Sequence, residues 1–413
     1  MLKTLTALCL FVPAAAQAFT QCTMTAIGGP GASIVEEGSN PVVAGGWTYA
    51  GYTQGSDTAV VAATDGGATL GAPVVVSEGK GRTTNLRLAV SDGRVYAVWQ
   101  QGGDHGRLSL MIAASHDHAQ AGSWGAPIRL AKVLKDISQV AADASGVHVV
   151  YVLPVDGIDK GGMVAVSSSN DSGRSFSAPV ELGLGSGEVV VASHRNHVYV
   201  AWETGTLTPT RDVMLAVSDD GGASYSVRDV SGNGVRNARE PILSLNQTTG
   251  RLSLVWREDT PTQGVYVQSK DNGKTWSDPL IVDLDARQVM VQDDDDRIWI
   301  SYLKPSTIDG NDDWQVYLAL STDGGKTFPD PVNLSGPTGI SKLEGDDDRP
   351  IPWALEGKIR LTAIAADGAH IWSGQDGHLR PPVFLGPGTT ASTQGNVAAW
   401  QGPNGYVDFA SCK

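Results

Sequence analysis

Cysteine is scarce in this chain, with 3 in 413 residues. So few thiols exclude a disulfide-dense scaffold and a cysteine-rich zinc module. Charge is sparse as well, at 18% of residues, and Lys+Arg (30) fall short of Asp+Glu (44). A formal net charge of −14 repels phosphates and argues against a nucleic-acid partner. No apolar run approaches the ~20 residues of a membrane helix. Strong helix formers are thin, whereas Gly (50), Val, Ser, Thr and Asp abound. Hydrophobic residues at 41% suffice for a core and exclude wholesale disorder. An acidic, turn-rich all-β chain is what remains.

The first residues read as an address. Met1-Leu2-Lys3 is a short basic region, Leu5 to Ala16 is apolar, and Ala16-Gln17-Ala18 is a small-residue cleavage site. Residues 1–18 are therefore expected to be a signal peptide, and 19–413 a single domain, exported to the periplasm or the medium. Thr6-Ala7-Leu8 before Cys9 is a poor lipid-attachment signal. Cys22 and Cys412 then bracket the mature chain. In an oxidising compartment they are expected to pair, which would stabilise the fold by about 5–6 kcal/mol through loop closure. Two unrelated buried thiols are the alternative.

One pattern recurs: Ser-x-Asp-x-Gly-x-x-aromatic. The clear copies are Ser169-Asn-Asp171-Ser-Gly173-Arg-Ser-Phe176, Ser218-Asp-Asp220-Gly-Gly222-Ala-Ser-Tyr225, Ser269-Lys-Asp271-Asn-Gly273-Lys-Thr-Trp276 and Ser321-Thr-Asp323-Gly-Gly325-Lys-Thr-Phe328. Asp65 heads a weaker copy, Asp117 one with an insertion that ends at Trp124, and Asp376 the most eroded. The seven aspartates are separated by 52, 54, 49, 51, 52 and 53 residues. Around each box lie four short apolar strands, the second ending in an aromatic, as in Val198 to Trp202. Four strands per ~50 residues make one blade of a β-propeller. The box is a turn: its Asp bonds backbone amides, Gly takes positive φ, and the aromatic anchors the hairpin between blades. These aspartates are structural, not catalytic.

Boxes at Asp171, Asp220, Asp271 and Asp323 resemble the Asp-box (BNR) repeats of sialidases and related propellers. The resemblance spans the mature chain and implies fold more strongly than activity. Seven boxes mark seven blades. Asn396 to Trp400 and Tyr406 to Ala410, joined by Cys22 to Ile27 and Ala32 to Glu36, would complete an eighth. Eight blades closed by strands from both termini is the favoured reading, and seven with a terminal clasp the other.

Ligands of propellers usually bind on the face away from the boxes. Arg239, Arg287 and Arg349 each stand near the start of an innermost strand there, in three successive blades. They are candidates for an anion clamp, because guanidinium pairs bidentately with carboxylate. Sialidases are similar in holding a sugar carboxylate with three arginines, and Arg239-Glu240-Pro241 resembles the family's Arg-x-Pro signature. It falls in the fifth blade here, whereas the family carries it in the first, where this chain has Ser39-Asn40-Pro41. The other reading is that these arginines neutralise neighbouring acids. Asp309, Asn311 and Asp313 have the alternate-oxygen spacing of a calcium loop. His116, His118 and His105 are weaker candidates for zinc or copper. The acidic runs Asp293 to Asp296 and Asp346 to Asp348 read as solvated turns. The favoured function is a binding module for a glycan or protein ligand, without catalysis and with no certain cofactor. The alternative is a sialidase-like exo-glycosidase that holds an acidic sugar.

Overall fold

The computed structural model describes residues 22–34, 40–102, 108–133, 138–158, 161–186, 188–205, 210–232, 236–308, 311–335, 349–355, 358–365, 367–375, 378–402 and 406–412. All regular structure among them is β. Eight antiparallel sheets form the blades of an eight-bladed propeller. In blades 2 to 6 consecutive strands pair in order from the innermost outward. Blade 4 shows the plan: Val189–His194, His197–Glu203, Val213–Ser218 and Ser226–Asp229. The second strand is buried on both faces, which is why it reads as a continuous apolar run with an aromatic near its end. Trp99, Trp202, Trp256 and Tyr302 occupy that place and are fully buried.

Blade 8 combines the termini, but not as two strands from each. Thr389–Gln394, Val397–Gln401 and Val407–Cys412 come from the C-terminal end, and Cys22–Ala26 adds the outermost strand. Ala32–Ser33 instead joins Val42–Ala44 on the inner edge of blade 1, both pairing with Trp47–Gln54. The innermost strand Thr389–Gln394 is built almost wholly of small polar residues and so carries no apolar signal. Cys22 lies directly opposite Cys412 in the ladder, and the two form a disulfide across 390 residues. Blade 7 also departs from the plan. Pro381 and Pro382 lack the N–H that a strand donates. Its outer edge is therefore split into His378–Leu379 and Val383–Gly386.

The boxes join strands three and four, and their hydrogen bonds are shared. In the four clear copies the leading Ser donates to Asp Oδ1 at 2.7–2.8 Å. The same hydroxyl accepts the box glycine N–H at 2.8–2.9 Å. Asp Oδ1 accepts the N–H four residues on at 2.8–3.1 Å. Asp Oδ2 accepts that residue's hydroxyl at 2.6–2.7 Å, from Ser175, Ser224, Thr275 or Thr327. These bonds favour the carboxylate, so Asp220 and Asp271 are held down at about 2, chiefly by Ser224 and Thr275. Their folded values lie below the ordinary one, so this contribution persists at neutral pH and is lost as pH falls from about 4 toward 2. In the weaker copy, Asp65 Oδ1 accepts the Thr69 N–H at 3.0 Å. In the insertion-bearing box of Asp117, Ser115 Oγ accepts the Ala119 N–H at 3.0 Å. Asp376 lies outside the described residues.

The clear boxes and that of Asp65 dock on the preceding blade, which is why they carry glycine there. A β-carbon on Gly173 would lie 3.0 Å from Tyr96 in blade 2, and one on Gly273 3.1 Å from Val217 in blade 4. Gly67 of blade 1 meets Phe409 and Val397 of blade 8 in the same way, at 2.9 and 3.0 Å. The box aromatic completes the joint: Phe328 meets Tyr266 edge-on, with ring centroids 5.1 Å apart.

Two outcomes follow from this construction. On Gly325 (φ 82°) a β-carbon would stand 2.5 Å from Tyr266 Oη and 2.7 Å from Ile298 Cδ1, whereas on Gly221 (φ 71°) it would meet nothing. Gly325→Ala should therefore cost about 1–3 kcal/mol of overpacking beyond the ~1–2 kcal/mol of left-handed strain common to both. Urea unfolding of the two variants compares them; equal costs would dismiss the joint. Second, non-reduced peptide mass spectrometry should link Cys22 to Cys412, and free thiols at both would contradict the clasp.

Candidate ligand-binding face

Boxes and first-to-second-strand turns share one face. Gly221 N–H donates to Asn196 O, and Gly324 N–H to Asp296 O, each tying a box to the turn of its own blade. Neighbouring turns are also tied together: His194 Nδ1 lies 2.8 Å from Gln247 Oε1. The acidic run beginning at Asp293 is not fully solvated. Asp293 and Asp294 are buried, and Asp293 receives Arg251 Nε and Nη2 at 2.7 and 2.6 Å. Asn246 Nδ2 (2.9 Å) and Ser253 Oγ (2.7 Å) complete its shell, joining blades 5 and 6. The box face is thus largely satisfied by itself.

His118 bonds Tyr49 Oη at 2.6 Å and stacks on Trp47. His105, Asp309 and Asp346 to Asp348 lie outside the described residues. Asn311 and Asp313 stand at the start of the strand Asn311–Ser321, opposite Ile308 and Ser306, so their backbone belongs to a ladder. Among the described residues no group of three or more His, Cys, Asp or Glu side chains could hold a metal.

On the opposite face four of the innermost strands, in blades 2, 5, 6 and 8, are bulged where they begin. Register shifts fall between Thr84 and Arg87, Arg239 and Ile242, Arg287 and Met290, and Thr389 and Ala391. Arg239 and Arg287 occupy the same register place, each just before a bulge. The next residues, Glu240 and Gln288, have φ of 58° and 50°. For a non-glycine residue this conformation is uncommon and marks strain. Arg349 precedes Ile351 by two, as Glu240 precedes Ile242 and Gln288 precedes Met290.

The three candidate arginines have different partners. Arg239 Nε lies 3.3 Å from Glu240 Oε1, and its Nη1 is 3.5 Å from Asp259 Oδ2. Arg287 lies over the Trp314 ring, 5.5 Å from its centroid, and its buried Nε makes no hydrogen bond. Arg349 is buried; its Nε donates to Gln288 Oε1 at 2.9 Å, and its Nη2 bonds Glu188. Arg349 heads blade 7 and Glu188 heads blade 4, so this ion pair reaches over the axial region between non-adjacent blades.

Around Arg239 the charges interlock. Arg257 Nη2 is 3.3 Å from Glu240 Oε1, and its Nε is 3.1 Å from Asp259 Oδ1. Glu203, at the end of the second strand of blade 4, pairs with Arg211 at 3.0 Å and accepts the Glu240 N–H at 3.1 Å. Arg236 and Gln263 Nε2 meet Glu258 Oε2 at 3.3 and 2.6 Å. Burial holds the Glu240 carboxyl above its ordinary value, outweighing Arg257 and Arg239, while Glu203 and Asp259 push the same way. Its Oε2 is buried without a hydrogen bond.

Blade 6 adds a wall. Its central hairpin, Arg297–Ile308 with Asn311–Ser321, has eleven paired positions where blade 5 has eight. Trp314, opposite Pro305 in the eighth of these pairs, stands beside Arg287. Between blades 5 and 6, Asp283 accepts Tyr302 Oη at 2.7 Å and Lys304 Nζ at 3.0 and 3.1 Å, and Lys304 lies over the Tyr317 ring. Burial, then the Asp283 bond, pushes the Tyr302 hydroxyl far up, so it stays a phenol and is unsuited to nucleophilic attack. By contrast, the cleft of about 250 Å³ between blades 3 and 4 is apolar, lined by Leu182, Leu184, Trp202, Met214 and Val227. Charged chemistry is concentrated at blades 4 to 7. Sequence reasoning missed Trp314, Glu188 and Glu203; the unusual length of the blade 6 hairpin was the one available signal.

The family described as BNR repeat-like domain matches residues 93–336. No curated protein matches the chain. Among solved structures it is similar to the β-propeller domain of the Trilobed protease from Pyrococcus furiosus, with 10% identity over 83% of this chain and 96% of that one, TM-score 0.48. It is also similar to the NanB sialidase of Streptococcus pneumoniae, with 11% identity over 80% and 68% of the two chains, TM-score 0.43. The phi92 phage endosialidase has 11% identity over 96% and 70%, TM-score 0.42.

Buried titration outside this face has its own consequence. His148 is buried against Ser168 Oγ at 2.9 Å, and burial holds it down at about 4 against a weaker opposing pull from Asp143. Its folded value lies below the unfolded 6.5, so neutral His148 stabilises the fold above pH 6.5 and loses that contribution as pH falls toward 4. Denaturant unfolding at pH 7 and 4.5 should show a loss of about 1.4 kcal/mol per pH unit through this group, absent in His148→Gln. An identical pH slope in the variant would remove the assignment.

Proposed function

The chain belongs to the BNR repeat-like domain family, and on that premise we propose that it is a binding module that recognises a glycan on its box-opposite face. The observation that carries this reading is Arg287 seated on Trp314 beside the long blade 6 hairpin. An aromatic ring offers a sugar a flat apolar surface, and a guanidinium offers it a planar fork of donors. Arg239, 29% exposed, stands at the same register of the neighbouring blade and adds a second guanidinium on an otherwise acidic chain, whereas Arg349 is buried and paired with Glu188. The disulfide supports the expectation of export to the periplasm or medium, where glycans are met.

A sialidase-like exo-glycosidase is the second reading, favoured by Glu240. A carboxyl whose protonated form burial favours is what a general acid needs. Glycan-array binding, followed by calorimetry on any positive, tests the first. Arg287→Ala and Trp314→Ala should each weaken binding at least tenfold with unchanged melting temperatures. Undiminished binding in both variants would remove this site. Release of 4-methylumbelliferone from a sialic-acid conjugate, abolished by Glu240→Gln, would replace the binding module with the enzyme.

A further inference from the structure

We propose that Glu240 is a resident anion of the Arg239–Arg257 pair, so that an anionic ligand enters by displacing it and Glu240 sets the charge and pH selectivity of the face. This rests on the binding reading above and deepens it.

Glu240 fits the pair poorly. Both arginine contacts to Oε1 are 3.3 Å, whereas an aligned guanidinium–carboxylate pair closes to about 2.7–2.9 Å. Arg239 Nε and Arg257 Nε make no hydrogen bond, and Glu240 Oε2 is buried and unpartnered. A buried acceptor left unmade is costly, so the ionised side chain gains less here than an external anion with free geometry would.

The backbone beneath does not depend on that carboxylate. The positive-φ turn at Glu240 is held by its own N–H on Glu203, which Arg211 pairs in turn. The carboxyl group can therefore lose its charge without releasing the bulge. Entry is open from one side: Arg239 and Asp259 side chains are 29% and 32% exposed, whereas Arg257 is 10% exposed.

The charges facing Glu240 come from three blades. Blade 4 presents Glu203 with Arg211, a neutral pair, and Glu188, which Arg349 of blade 7 neutralises. Blade 5 presents Arg239, Arg257 and Asp259, with Arg236 and Glu258 paired beside them. Blade 6, whose innermost strand adjoins that of blade 5, brings Arg287 and the uncharged Gln288. With Glu240 ionised, it and Asp259 cancel Arg239 and Arg257, and Arg287 is the one cation left over. With Glu240 protonated, a second positive charge is uncompensated and an anion is attracted more strongly. The raised protonation of this carboxyl has the matching sign: anion affinity rises as pH falls.

Inorganic sulfate, ionised at every pH used, is the probe, titrated by calorimetry at pH 7.5 and 5 into the full chain. Wild type should bind it at least tenfold more tightly at pH 5. Glu240→Gln should bind at pH 7.5 as wild type does at pH 5 and show no pH dependence. Asp259→Asn, which leaves the strained bulge untouched, should also tighten binding at pH 7.5 but keep the pH dependence. Arg239→Ala should lose sulfate binding at both pH values. A Glu240→Gln profile identical to wild type would overturn the proposal, as would pH-dependent tightening that survives in Arg239→Ala. Should Glu240→Gln fail to fold, Asp259→Asn and Arg239→Ala decide by themselves. The sulfate results as expected, with no glycan bound, would leave this proposal standing and remove the glycan reading; glycan binding with no effect of Glu240→Gln would do the reverse.

Discussion

The whole ring depends on how closely one blade can approach the next, and that approach is made at glycine. Gly173, Gly273 and Gly325 bring a box backbone to within a β-carbon's width of the preceding blade, in a conformation other residues resist. The Ser–Asp–Ser/Thr bonding keeps that turn in shape, and the aromatic fills the space beside it. Because Gly67 makes the same approach to Phe409, the joint between the last blade and the first is built like the others. A regular spacing of the boxes is thus the trace of one repeated contact.

The two faces inherit opposite characters from this arrangement. Box turns and strand turns meet one another, and even the buried Asp293 finds Arg251, Asn246 and Ser253. On the other face four of the innermost strands begin with bulges, and Glu240 and Gln288 hold positive φ there. Arg239 and Arg287 at that end each keep a buried Nε without a hydrogen bond. The Glu240 N–H on Glu203 and the Arg349–Glu188 pair tie blades to one another while leaving Arg239 and Arg287 beside an exposed rim.

What could be read from sequence was whatever the fold repeats. Box spacing announces blades, and two cysteines at the ends announce their own meeting. Arg239 and Arg287 could be placed on one face because each begins an innermost strand. What escaped was local and unrepeated. Thr389–Gln394 is a strand of small polar residues, invisible to an apolar periodicity. Pro381 and Pro382 divide an edge that the pattern draws as continuous. The burial of Asp293 depends on Arg251, 42 residues away, and Arg349 meets Glu188 across 161 residues. Neither separation is a multiple of the repeat, so no pattern could announce it. The hydroxyl of Ser175, Ser224, Thr275 and Thr327 was visible in every clear box but has no evident role until its bond to Asp Oδ2 is seen.

The clasp has a temporal meaning as well. Cys22–Ala26 is the outer edge of the blade whose other three strands end the chain. A ribosome makes that edge first and its neighbour last. Throughout synthesis the first strand has no ladder to join, and its cysteine no partner, while seven blades are completed between them. The ring is therefore locked by an early and a late segment, and the Cys22–Cys412 disulfide, which needs an external two-electron oxidant to form, can close only after synthesis has passed Cys412.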